Sequence, residues 1–375
     1  MMLTNIRHTL HTLAEPSGEE VRTQAFLLEQ LRPLNPTKIH TFENSRNILV
    51  VFDSGVPGST WLLRGDFDAL RVPETISVPY ASQTAGVSHK CGHDGHAAIL
   101  LGVAQQLRAN PPRKGRVLLF FQAAEETGEG ARQLLDTGIL EQYRPDEVFA
   151  FHNIPGVPLG QVLCRAGSFT CSVVSCDIVL TGHTAHAAEP LKALSPYPAA
   201  RAITDRLLAL NRYEMSASDF QLLTLVQFRV GEVAYGVAAG EGVLRFTLRA
   251  KEDARLQALK RELVQVVEEE VAKCAGLRYD VAWKEYFAAS ENHPAAADKV
   301  RRAAEQCGLQ YVTKEEPFSW GEDFGLLTQH YPGALFGIGS GTEQPPLHHP
   351  HFDFPDELLP IGVEMFNALL QLSEQ

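Results

Sequence analysis

Apolar residues in the first half of the chain fall into two alternating rhythms. Val21, Ala25, Leu28 and Leu31 recur near one face of a predicted helix. Asn47 to Phe52, Thr60 to Leu63, Arg116 to Phe121 and Val148 to Phe151 are runs of strand length. The last two are too continuously apolar to alternate, as expected of strands covered on both faces. Ala97 to Leu107 predicts an apolar helix with Asp94 as its N-cap. Ser17-Gly18-Glu19-Glu20 predicts a capping box ahead of the first helix. Strand and helix taking turns in this way predict an α/β domain with a mainly parallel sheet sandwiched by helices.

From about Ser172 the order changes. Val173 to Thr181 predicts a strand, Pro198 to Leu210 a helix, and Phe220 to Val230 and Gly242 to Ala250 two long strands in succession. Glu252 to Cys274, rich in Glu, Lys and Arg, predicts a helix, and Leu277 to Phe287 a closing strand. That β-α-β-β-α-β succession is ferredoxin-like, an α+β domain in itself. After Ser290 the pattern returns to helix and then to a Gly/Pro/His-rich stretch from Gly337 to Pro355. The expected organisation is one domain of residues 1–171 and 290–375, carrying 172–289 as an insert. A chain of 375 residues suits this, since single cores stop growing at roughly 250–300 residues.

Composition narrows the function classes. The formal charge of −12 disfavours a nucleic-acid partner. The opening MMLTNIRHTLHTL lacks a basic and then apolar leader, and the apolar runs fall far short of the ~20 residues that cross a bilayer. A soluble, cytoplasmic protein without a membrane partner is expected. The six cysteines include no CxxC pair and read mostly as small buried hydrophobes.

Candidate chemistry gathers at strand ends, where open α/β sheets bind ligands. Trp61-Leu62-Leu63 runs into Arg64-Gly65-Asp66-Phe67-Asp68, Val117 to Phe121 into Gln122-Ala123-Ala124-Glu125-Glu126, and Val148 to Phe151 into His152. Cys91-Gly92-His93-Asp94-Gly95-His96 stands just before a predicted helix. Thiolate, imidazole and carboxylate together suit zinc, manganese or cobalt, and two such ions roughly 3.5–4 Å apart can hold one water between them. If the strand stays extended, Glu125 and Glu126 point in different directions, so that one can bind metal while its neighbour serves as a base.

The runs LRGDFDAL, KCGHDGHAA, FFQAAEETGEGA and FHNIPG, followed by GHTAHAAEP, GEDF and LHHPHFDF, resemble a known family in its order and spacing. It is the dimetal aminoacylase and carboxypeptidase family, in its hippurate-hydrolase and auxin-conjugate amidohydrolase branch, and the resemblance covers essentially the whole chain. It implies a metallopeptidase-like catalytic domain in which Cys91, His93, Glu126, His152 and His348 hold two divalent ions, zinc or manganese first, with cobalt or nickel as alternatives. By the same resemblance Glu125 is the catalytic base, Asp68 orients a ligand imidazole, and His186 holds the developing oxyanion in its own or a partner subunit's site. The insert becomes a lid and dimerisation domain of a homodimer or higher homo-oligomer. The implied reaction is hydrolysis of the amide of an N-acyl amino acid or peptide-like conjugate by a metal-bridged water. A dipeptidase, a specific N-acetyl-intermediate deacetylase and a metal-binding but inactive homologue are the alternatives.

His96 is expected to pack at the helix start without binding metal, and His183, His349 and His351 to be solvated or supporting. Glu322 and Asp323 could steady the His348 side of the site or start a helix. The chain departs from the family at Tyr235-Gly236-Val237, where an Asn is common in place of Gly236, at Ala123 in place of Pro, and at Lys90, where a small residue is common.

Overall fold

The computed structural model describes residues 2–374 and divides the chain into two units. The first comprises Met1–Phe169, Ser290–Glu315 and Glu322–Gln375. Its eight-stranded sheet has the order Lys38–Phe42, Ser45–Asp53, Arg116–Gln122, Thr60–Asp66, Glu147–Ile154, Gly333–Gly339, Val162–Cys164, Tyr311–Thr313. The four strands Arg116–Gln122, Thr60–Asp66, Glu147–Ile154 and Gly333–Gly339 run parallel, side by side. Their interiors are buried on both faces, which is why their sequences show no alternation. Helix His93–Ala109 packs on the sheet and is buried from His93 to Ala104, Ile99, Leu100 and Leu101 among its side chains. A Cβ on Gly65 would stand 2.9 Å from the His96 carbonyl, so glycine is what lets this helix approach the strand beside it.

Two local expectations are corrected. Helix Val21–Leu31 has no capping box, because Ser17 and Glu20 are drawn away to other partners: the Ser17 hydroxyl donates to Asp68 and the buried Glu20 carboxylate accepts from the Ala124 amide. Glu15 does the capping, accepting from the Thr23 amide at 2.9 Å. Helix His93–Ala109 likewise starts from Gly92, and Asp94 is instead paired with Arg7 at 3.2 Å and His11 at 2.8 Å.

The second unit comprises Thr170–Ala289 and Glu316–Gly321. Its antiparallel sheet has the order Gln221–Val230, Glu241–Ala250, Ser172–Thr181, Arg278–Phe287, with helices Tyr197–Leu208 and Asp253–Ala272 against one face. Val174, Cys176, Ile178 and Leu180 turn inward onto Ile203, Leu207, Leu259 and Leu263, while Ser175 and Asp177 turn outward. The short segment Glu316–Gly321, expected with the flanking domain, belongs here because the Cys171 amide donates to the Phe318 and Trp320 carbonyls and Lys251 pairs with Glu316. Among the described residues no helix is long and apolar enough to cross a membrane.

Candidate metal centre

The parallel strands of the first unit deliver their polar ends to one place. Asp66 closes strand Thr60–Asp66, Gln122 closes Arg116–Gln122, and His152 sits near the end of Glu147–Ile154. Cys91 and His93 flank Gly92, whose φ of +95° turns the chain into the helix between them. A side chain on Gly92 would start 2.5 Å from Asn153 Oδ1, so this turn requires glycine.

Five overlapping groups of potential ligand atoms lie here, the atoms of each within 4.8 Å of one another. Cys91, His93 and His152 form one, and Cys91, Glu126 and His348 another. His93 with Glu125 and Glu126, Asp66 with Glu125 and Glu322, and Asp66 with His93 and His96 complete the set. Cys91 Sγ is 3.5 Å from His152 Nε2, and His348 Nε2 is 3.6 Å from Glu126 Oε1. The His93 imidazole donates from Nδ1 to Asp68 Oδ1 at 3.0 Å, leaving Nε2 directed at Glu125 and Glu126, 4.0 and 3.9 Å away. Asp68 is held in turn by the Ser17 hydroxyl at 2.7 Å and the Glu126 amide at 3.0 Å. His152 donates from Nδ1 to the Asn153 carbonyl at 2.9 Å.

The two adjacent glutamates do not lie on an extended strand, and both reach His93 Nε2. The strand stops at Gln122, Ala124 takes a φ of +53°, and Glu125 and Glu126 lie in the turn that follows. His96 is more than packing, since its ring bridges Asp66 Oδ1 and Asn153 Oδ1 at 2.6 Å each, which occupies both nitrogens. Glu322 and Asp323 attend Arg64 and Glu125, not His348. The fully buried Arg64 reaches Asp66 at 2.5 Å, Glu322 at 2.7 Å, Asp323 at 3.3 Å and Gln122 at 2.8 Å, and the Asp323 amide donates to Glu125 Oε1 at 3.3 Å. Arg64, Asp66, Gln122 and Asn153 stand within the motifs at the strand ends but carry no assigned role from sequence. For Arg64 and Asp66 a signal existed: with Asp68 they recur every second residue at the end of an apolar strand, on one face.

His186 lies in the second unit, exposed on the two-residue strand Ala185–His186 opposite Val237, and its Nδ1 accepts from the Ala188 amide at 3.0 Å. Gly236 accepts from the Ala187 amide and has open space where a Cβ would stand, so packing does not demand glycine there. His183, His349 and His351 are exposed.

Charge in the cluster is unbalanced. Burial, then Glu322, Glu126 and Asp323, push the Glu125 carboxyl well up. Burial and Asp68 push Glu126 up to about 7, although His93 opposes them. Burial and the same glutamates push the Cys91 thiol well up. For His93 burial disfavours the cation, yet Asp66, Asp68 and Glu126 outweigh it and raise the imidazole to about 10. His93 Nε2 and Glu126 Oε1 are buried without a hydrogen-bond partner. Acidic groups crowded together with ligand atoms that lack hydrogen-bond partners are what a cation site demands.

The sequence profile of peptidase family M20/M25/M40 matches residues 62–372. The chain belongs to this family. Within it, an N-acetyldiaminopimelate deacetylase of Limosilactobacillus fermentum is 31% identical over 343 residues, covering 90% of this chain and 88% of the relative. The N-acetylcysteine deacetylase of Bacillus subtilis is 29% identical over 374 residues, covering 98% of this chain and 95% of the relative. Among solved structures of the family, the Bacillus subtilis YXEP protein, described as a dinuclear metal binding peptidase, superimposes with a TM-score of 0.82 at 26% identity, covering 99% and 97% of the two chains.

Proposed function

We propose that the chain is a metal-dependent amidohydrolase cleaving the amide bond of N-acyl amino acids or related small conjugates. The observation that carries this reading is one cysteine shared by two ligand groups, Cys91 with His93 and His152 and Cys91 with Glu126 and His348, beside a glutamate neither group needs. The orphaned His93 and Glu126 atoms fit two divalent cations. The donor set favours zinc or manganese, with cobalt or nickel as substitutes. When bound, such ions polarise a carbonyl and make water more acidic.

The remaining work falls to the protein. Asp68 holds His93 with its proton on Nδ1, and the Asn153 carbonyl does the same for His152, so that both Nε2 atoms serve as donors. Glu125 takes the proton from the attacking water and returns it to the amine nitrogen as the C–N bond breaks. His186 hydrogen-bonds the developing oxyanion. The unit built on Thr170–Ala289 acts as lid and dimerisation element of a homodimer. The names of the relatives direct the first assays to N-acetylated diamino acids and N-acetylcysteine.

The test supplies zinc- or manganese-loaded protein with N-acetyl and N-benzoyl amino acids and dipeptides and measures free amine. Release from acylated amino acids, abolished by a chelator and restored by metal, is expected. Release from dipeptides alone would replace this reading with a dipeptidase, and release from none of the panel would overturn it.

A further inference from the structure

Lys90 has no side-chain role in the chemistry described so far, yet it is fully buried. Its ammonium donates to Glu74 Oε1 at 2.6 Å and to the Phe352 carbonyl at 2.8 Å. Burial opposes the charge on Glu74, but hydrogen bonds from His11 and Lys90 hold its carboxyl down at about 2. The backbone of Lys90 makes a second attachment to the same loop: its carbonyl accepts from the His348 amide at 2.7 Å. One residue thus grips the loop at His348 and again at Phe352, and its next neighbour in sequence is Cys91.

His348 needs that grip. Its side chain is 52% exposed and its backbone has a φ of +65°, a region non-glycine residues seldom occupy. Neither packing nor backbone preference fixes where its imidazole points. We infer that Lys90 is a positioning residue that sets the His348 arm of the Cys91, Glu126 and His348 group. This assignment rests on the two-ion reading above.

Zinc titrations of the metal-free, full-length protein test it by calorimetry. Lys90→Met removes the ammonium, and Lys90→Met with Glu74→Gln also removes the carboxylate charge that faced it. Wild type is expected to take up two ions. The double variant is expected to bind one with unchanged affinity and the other 10–100-fold more weakly, the scale seen when a residue supporting a ligand is lost. In a His348→Ala background the same pair of changes is expected to have no further effect. Equal weakening of both ions, or an undiminished effect without His348, would overturn the assignment in favour of a general structural role. Two ions bound as tightly as in wild type would overturn it alone. A wild type that binds fewer than two ions would overturn the two-ion reading, and the role of Lys90 with it.

Discussion

Glu125 and Glu126 are neighbours in sequence, one buried and one half-buried in the same cluster, but only Glu126 joins Cys91 and His348 in a ligand group. Glu125→Gln is therefore expected to keep both ions and lose ~10²-fold or more in kcat, the scale of general acid–base catalysis. Metal analysis beside the kinetics checks it, and full activity would remove Glu125 from the chemistry. His186→Ala is expected to cost roughly 10²–10³ in kcat with the metal content unchanged; a rate like wild type would make its role structural. Cys91, His93 and His152 could be picked out as candidates from sequence because a thiol and imidazoles at strand ends and a helix start are rare enough to attract notice. Lys90 could not, and Arg64 only through its alternation with Asp66 and Asp68. A buried cation looks like any surface Lys or Arg until its partners are known, and Glu322 lies 258 residues from Arg64 while the Phe352 carbonyl lies 262 from Lys90.

At the scale of elements, apolar runs marked the strands to within a few residues, since burial on both faces leaves little room for polar side chains. The same logic misplaced the start of helix His93–Ala109. Asp94 reads as the N-cap and His96 as packing at the helix start, but His93, Asp94 and His96 all lie inside the helix, each buried against a specific partner. Helix caps were misjudged for a related reason: Ser17 and Glu20 have the right residue types, and tertiary hydrogen bonds claimed them. The turn at Gly92 gives a sharp test. Gly92→Ala puts a Cβ where Asn153 stands, at a φ that disfavours it, and is expected to destabilise the fold by about 1–3 kcal/mol and to weaken metal uptake. Chemical denaturation and metal titration check this, and neutrality in both would mean the turn relaxes freely.

For the molecule as a whole, pH acts through the buried charges away from the candidate ligands. Burial disfavours the His11 cation, but Asp94 and Glu74 outweigh it and raise the imidazole to about 9 from 6.5. A raised folded-state pKa stabilises fully below ~6.5, and the contribution fades as pH rises toward 9. The melting temperature of metal-loaded protein is expected to fall across that window, with a shallower slope in His11→Gln; identical slopes would show that His11 does not control the effect. The reach of the second unit has a practical consequence too. It includes Glu316–Gly321, a six-residue return visit held by the Cys171 amide at the Phe318 and Trp320 carbonyls. The insert is therefore not a cassette with two ends. Trimming it out at Thr170 and Ala289 would leave those carbonyls without their donor, and the loosened stretch leads directly into Glu322 and Asp323. A minimal catalytic domain has to be engineered at four junctions.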